Sequence, residues 1–190
     1  MNNLKGSGGS LSFVGNSGSA TETFAMLYEH YMPGIYKYIH FRTGNVHLAE
    51  DLTSAVFEKA LTGFRGYKAN RASFLTWIMT IARNMVIDHY RQQSRRKDIP
   101  IENAKDSLIN NLSPEQEVVK REELQRLQVC LKRLSEKEQE IVACKFGSEM
   151  NNRQIAGLLS LSESNIGTIL YRAVRKLRDC FREWENGKRR

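Results

Sequence analysis

The chain has 190 residues, enough for one large domain or two small ones, and its 41% hydrophobic and 26% charged residues suit a packed core beneath a charged surface. The 29 Lys and Arg against 21 Asp and Glu give a formal charge of +8, which favours polyanionic partners. No apolar run is long enough for a helical membrane span, and the opening MNNLKGSGGSLSFVGNSGSATE lacks the continuous apolar stretch of a secretory leader.

Strand signals are nearly absent, so the sequence predicts an all-α protein built as two small helical domains joined by a flexible linker. Residues 1–20 are rich in Gly and Ser and predict a flexible tail. A first domain is expected over 21–94. Its first helix runs from about Thr21 to Phe41, with Phe24, Leu27, Tyr28, Tyr31, Ile35, Tyr38 and Ile39 at helical spacing and Pro33-Gly34 as an expected kink. A second helix covers about Val46 to Leu61, with Leu48, Leu52, Ala55, Val56 and Ala60 as its buried stripe. Phe57 and Leu61 fall well around from that stripe, which leaves surface exposure, packing on another helix or a docking patch as readings.

The third helix begins near Arg71 or Ala72, after the loop GFRGYKANRAS, and reaches about Ser94. Ile78, Ile81, Ala82 and Met85 form its apolar stripe, while Trp77, Thr80, Asn84, Asp88, Arg91 and Arg95 recur at spacings of three or four on another side. An indole in a row of polar and cationic side chains is what an unpaired base requires. In that reading the ring replaces lost stacking, Asn84 pairs with a base edge, and Arg91 and Arg95 hold phosphate; the periodicity alone equally suits a Trp77 half-buried under the first helix with only its edge showing. Residues 95–113, with Pro100 and several Asn and Asp, read as a linker.

Ser113 and Pro114 restart helix as N-cap and first helical residue, opening a second domain over 114–184 with helices at about 114–133, 136–146, 151–159 and 163–184. Ser135 and Glu138 form a capping box, with Gly147 closing that helix. NRQIAGLLSLSESNIGTILYRAVRKL reads as helix, turn and a second helix capped by Ser162, which is a helix-turn-helix. Ile166, Ile169, Leu170, Ala173, Val174, Leu177, Cys180 and Phe181 make one apolar stripe of the last helix. Ser164, Asn165, Thr168, Tyr171, Arg172, Arg175 and Arg178 stand on the opposite side, with Arg and without Glu, as a face for phosphates and base edges, and the adjacent Lys176 is counted with them as a candidate contact. Residues 185–190 form a basic tail. Basic residues thus concentrate at Arg91–Lys97 and Arg172–Arg190, which suggests two separate contacts with nucleic acid.

Cys130, Cys144 and Cys180 show no C-x-x-C spacing and read as buried thiols of a protein in the reducing cytoplasm. His30, His40, His47 and His89 lack ligand spacing, so no metal is expected. There is no phosphate loop, H-E-x-x-H or Gly-x-Ser-x-Gly, so no cofactor and no catalytic residues are expected, and the chain reads as a binding protein rather than an enzyme.

The blocks AEDLTSAVFEKAL, FLTWIMTIARNMVIDHYR, LSEKEQEIV and NRQIAGLLSLSESNIGTILYRAVRKLR occur in the order seen in bacterial RNA polymerase sigma factors, and the chain resembles their short extracytoplasmic-function type over about residues 22 to 183. The resemblance implies a transcription initiation factor that directs core RNA polymerase to promoters and promotes strand opening. It implies that Asp51, Leu52, Val56, Phe57 and Leu61 grip the clamp helices of the largest polymerase subunit. The loop and third helix, with Tyr67, Asn70, Arg71, Ser73 and the Trp77 row, would take the minus-ten element as single strand. The helix-turn-helix, from Ser162 to Lys176, would read the minus-thirty-five element as duplex. An anti-sigma protein is a further implied partner. Many relatives carry Gln-Glu where this chain has Ser54-Ala55, and the recognition helix carries Leu170-Tyr171 in place of the usual charged residue. The alternative is a helix-turn-helix regulator of response-regulator or quorum type acting without being a polymerase subunit. In a response regulator this would require an α/β receiver, and the first half shows no strand pattern.

Overall fold

Helix follows helix through the computed structural model, which describes the backbone of residues 20–95 and 114–187, with side chains placed from 22 to 95 and, apart from residue 185, from 122 to 186. The Gly/Ser-rich start, the segment 96–113 with the Ser113 cap, and the last three residues lie outside the described residues. The first unit comprises α1 (Ala20–Thr43), α2 (Val46–Gly63), a 3₁₀ turn (Phe64–Gly66) and α3 (Phe74–Arg95). The second comprises α4 (Pro114–Lys132), α5 (Glu136–Val142) continuing into a π turn (Ala143–Gly147), α6 (Asn152–Leu159) and α7 (Glu163–Gly187). No strand occurs among the described residues, and no helix there is long and apolar enough to cross a membrane.

Local signals set most boundaries. Asn45 caps α2 by accepting from the Leu48 amide at 2.9 Å, and Gly44 makes the preceding turn with φ +66°, a conformation that glycine adopts without a Cβ clash. The Ser135–Glu138 capping box of α5 is present in both directions, and a second box joins Asn151 to Gln154 at the start of α6. α1 continues as one helix through Pro33.

Three features depart from the sequence reading. First, the buried residues of α2 are Ala49, Thr53, Val56, Phe57 and Ala60, a stripe turned away from the expected Leu48, Leu52 and Ala55. Thr53 can sit inside because its hydroxyl donates to the Ala49 carbonyl at 2.6 Å, which satisfies the polar group within its own helix. Phe57 is therefore core, 3% exposed, with its ring edge-on to Tyr28 of α1 at 4.7 Å. Second, α5 does not run on as an α-helix to 146. It widens into the π turn, where the Ser148 amide donates to the Ala143 carbonyl at 3.3 Å. Third, Cys130 and Cys180 are joined as a disulfide between α4 and α7, with Cα atoms 5.8 Å apart, and only Cys144 is a free buried thiol.

The second unit is also tied by an ion pair. Lys176 Nζ donates to both oxygens of Glu138, at 2.7 and 2.9 Å, so α7 is held to the capping residue of α5. Burial acts to raise the Glu138 carboxyl, but hydrogen bonds from Lys176 and Ser135 outweigh it and leave the group below its ordinary value of 4.5. A value depressed by folding means that the pair stabilises fully above the unfolded-chain value and loses that contribution as pH falls through the lower, folded value.

Two predictions follow from these ties. Reduction of the disulfide, or Cys180→Ser, is expected to destabilise the second unit by about 2–4 kcal/mol, seen as a lower thermal midpoint; equal midpoints with and without reductant would show that the bond contributes nothing. As pH falls from above the ordinary value of 4.5 to below it, the midpoint of the unaltered chain should fall more steeply than that of Lys176→Met. Parallel curves would refute the assignment of that pH dependence to the pair.

Candidate nucleic-acid interface

Ser73 starts α3, its hydroxyl accepting from the Thr76 amide at 3.2 Å and its carbonyl from the Trp77 amide at 3.0 Å. The loop before it is closed on itself. The Tyr67 hydroxyl donates to the Ala72 carbonyl at 3.0 Å, and the Arg71 amide donates to the Lys68 carbonyl at 2.9 Å. This leaves Asn70 and Arg71 exposed at its tip.

Trp77 is half-buried. Its ring lies 5.0 Å from Tyr67 and 5.5 Å from Phe74, and a Cβ on Gly63 would stand 3.5 Å from it. Beneath it, Phe74 packs edge-on to Phe24 and Phe64 at 6.4 and 6.2 Å. The indole is thus the outer member of an aromatic cluster, fixed in place by the core rather than swinging from a surface helix. Beyond it Thr80, Asn84, Asp88, Arg91 and Arg95 are all exposed. Asp88 Oδ1 stands 3.8 Å from Arg91 Nη1, so one cation of the row has a local counter-charge.

In the second unit α6 ends at Ser160, whose φ of 54° is left-handed. Ser162 then caps α7 by accepting from the Asn165 amide at 3.2 Å. Ile155, Ala156, Ile166, Leu170 and Ala173 are buried where α6 and α7 meet. Ser164, Asn165, Thr168, Tyr171, Arg172 and Arg175 are exposed, Tyr171 at 70%. Lys176 departs from this face: its ammonium is engaged by Glu138, which is a contact of the fold.

Of the residues expected to meet a protein partner, Asp51 and Leu61 are exposed and Leu52 is half-buried. Val56 and Phe57, 0% and 3% exposed, belong to the core and are removed from that surface. Exposed Arg65 and Lys68, which border the loop, were not singled out by the sequence because isolated cations show no periodicity. No group of three or more His, Cys, Asp or Glu that could hold a metal ion is found among the described residues.

Comparison with known proteins gives two matched families in chain order: Sigma-70 region 2 over residues 27–96 and Sigma-70, region 4 over residues 124–177. The chain is 33% identical over 156 residues to the ECF RNA polymerase sigma factor BldN of Streptomyces coelicolor, covering 82% of this chain and 59% of that protein. It is 26% identical over 170 residues to the ECF RNA polymerase sigma factor SigM of Bacillus subtilis, covering 86% of this chain and 98% of that one. Among solved structures, it is similar to the sigma factor RpoE in complex with the anti-sigma factor NepR from Bartonella quintana (TM-score 0.67, 18% identity, 85% of this chain and 98% of that chain). It is also similar to CnrH in complex with the cytosolic domain of CnrY (TM-score 0.65, 17% identity, 86% and 90%). At these identities the structural likeness is one of fold. With both regions present in order and sigma factors aligned over 82% and 86% of its length, the chain belongs to the extracytoplasmic-function group of the sigma-70 family of transcription initiation factors.

Proposed function

We propose that the two units divide promoter recognition between them while core RNA polymerase holds both. The exposed start of α7, from Ser162 through Arg175, reads the minus-thirty-five element as duplex in the major groove. The loop 67–73 and the outer row of α3 capture unpaired bases of the minus-ten element, with Trp77 as the stacking platform and Asn70, Arg71, Asn84, Arg91 and Arg95 as polar and phosphate contacts. Asp51, Leu52 and Leu61 on α2 supply the contact with the clamp helices of the largest polymerase subunit.

Strand opening then needs no chemistry from this chain. A first unit that binds separated strands better than paired ones shifts the equilibrium toward opening by its differential affinity. The protein acts in the cytoplasm without catalysis, and an anti-sigma protein is its proposed inhibitor, in keeping with the complexes in which RpoE and CnrH were solved. A receiver-bearing regulator is disfavoured, since the described first unit holds no strand.

The observation that carries this reading is the indole of Trp77, immobilised by Tyr67 and Phe74 at the head of a polar and cationic row. Stacking on such a ring contributes about 1–3 kcal/mol per base. Trp77→Ala is therefore expected to lower the yield of open promoter by about 5- to 150-fold while leaving the affinity for core polymerase unchanged; a normal permanganate footprint would overturn the assignment. Arg175→Gln should weaken binding to a minus-thirty-five duplex and reduce the slope of log affinity against log salt by about 0.9. An unchanged slope would remove Arg175 from the phosphate contacts. Run-off transcription with core polymerase on genomic fragments tests the reading as a whole, and absence of start-site selection would end it.

A further inference from the structure

Tyr171 is the most exposed large apolar side chain among the described residues, at 70%. An aromatic ring left in water forgoes the burial that its neighbours Leu170 and Ala173 obtain, and its place on α7 shows where it is directed. Ile166, Leu170, Ala173 and Cys180 are buried and fix the inward side of the helix. At about 100° per residue, Ser164, Thr168, Tyr171 and Arg175 run down the opposite side, all within about 40° of its midline. All four are exposed. Asn165 and Arg172 flank this row on one edge and Arg178 on the other, and they too are exposed.

The centre of the row is apolar. The Thr168 hydroxyl donates to the Ser164 carbonyl at 3.0 Å, so its donor is used within the helix and its methyl group is what it adds to a groove. Tyr171 adds the apolar body of its ring. An Arg or Asn at these two positions could specify guanine or adenine by paired hydrogen bonds, and neither is present. In the major groove one base alone presents an apolar group, thymine through its C5 methyl. The rise along the helix from Thr168 to Tyr171 is about 4.5 Å, against about 3.4 Å between successive base pairs. The two side chains therefore match neighbouring steps.

We propose that Tyr171 is the specificity-determining residue of the duplex contact, selecting thymine by its C5 methyl group, with the Thr168 methyl group set against the adjacent base pair. The inference rests on the function proposed above and deepens it by naming the base that the start of α7 selects. Docking removes both the ring and the methyl group from water, so a base lacking the methyl forfeits about fourfold in affinity. Arg172 and Arg175 add attraction to phosphate that is the same for every sequence. Lys176 adds none, since Glu138 holds its ammonium at 2.7 and 2.9 Å, and that tie anchors α7 with the Tyr171 side outward. Because the ring is not part of the core, it can be altered without opening a cavity.

The test uses core polymerase carrying the full-length chain and the promoters it selects from genomic fragments. Each thymine of the minus-thirty-five element is replaced singly by deoxyuridine, which removes the methyl group and keeps every hydrogen-bonding edge. Competition between the two templates should show a loss of about fourfold at one position or at two adjacent ones. At the same place 5-methylcytosine should be preferred to cytosine by about fourfold. Tyr171→Ala should erase both preferences at one position, with the helical circular dichroism and thermal midpoint unchanged. Tyr171→Phe, which keeps the ring and removes the hydroxyl, should preserve them. The inference is overturned if the selected promoters share no thymine in this element, if deoxyuridine is tolerated at every position, if Tyr171→Ala keeps the methyl dependence, or if Tyr171→Phe abolishes it, which would place the contact at the hydroxyl. A chain that selects start sites but ignores the methyl group overturns this reading of Tyr171 and leaves the proposed function standing. One that selects no start site overturns both.

Discussion

Taking a carboxylate out of water is costly unless donors meet it, and the hydroxyl and guanidinium groups that meet Glu140 belong to the other half of the chain, with the Cys144 thiol of its own unit at 3.9 Å beside them. Tyr38, Arg42 and Arg83 converge on it from α1 and α3. Through that one residue the register of the second unit against the first is fixed. Shifting α5 by one residue would put Gln139 or Ile141 in place of the carboxylate opposite two guanidinium groups and take Glu140 away from these partners. The buried apolar residues that flank it, among them Ile39, Ile141, Val142 and Met150, belong to one continuous cluster running from Phe24 to Ala173. The apolar contact supplies attraction without direction, and the carboxylate supplies direction.

The same layering governs the face of α3 proposed to take unpaired bases. Trp77 carries the function proposed for it only because Phe24, Phe64, Tyr67 and Phe74 lock together below it. Aromatic rings bring large contact area with few rotatable bonds, so a platform built on them loses little freedom when a base stacks. The loop that precedes α3 is shaped by this cluster as well, since Tyr67 both packs on Phe74 and closes the loop through its hydroxyl. Changes at Phe64 or Phe74 would reach the proposed base-stacking site through the rings packed beneath Trp77.

What the sequence made legible is what depends on near neighbours. The capping box of Ser135 and Glu138, the turn at Ser160 to Ser162, the α7 stripe from Ile166 to Ala173 and the polar row of α3 all follow from spacings of three or four residues, and they appear where periodicity puts them. What was not legible depends on partners far along the chain. Phe57 lies outside the stripe of Leu48, Leu52 and Ala55, and is buried because the inward face of α2 is rotated to Ala49, Thr53 and Val56, where Tyr28 of α1 meets its ring. Thr53 was passed over because a threonine scores as polar even when its hydroxyl is satisfied internally. The Cys130–Cys180 bond joins residues separated by 50 positions, outside any local motif. Lys176 resembled its neighbours Arg172 and Arg175 until Glu138 was placed beside it. Gly147 looked like a helix stop, but its reason is the 2.8 Å approach of Tyr38.

These nonlocal pairings also sort the charge of the protein. A net +8 says only that a polyanion is favoured. In the folded chain Arg42 and Arg83 are directed to Glu140, and Lys176 to Glu138, so these cations serve packing. Arg172 and Arg175 have no acidic partner among the described residues and stand exposed beside Tyr171. Glu138 and Glu140, two residues apart on one short helix, thus take up the positive charge that the fold needs internally. Outward cations remain along the middle of α7, at Arg172, Arg175 and Arg178, and at the end of α3, at Arg91 and Arg95. Were either glutamate lost, the freed cation would add to the surface charge, yet it would do so at the expense of the geometry that presents the rest. Net charge and the arrangement of charge therefore change in opposite senses, and binding to DNA follows the arrangement.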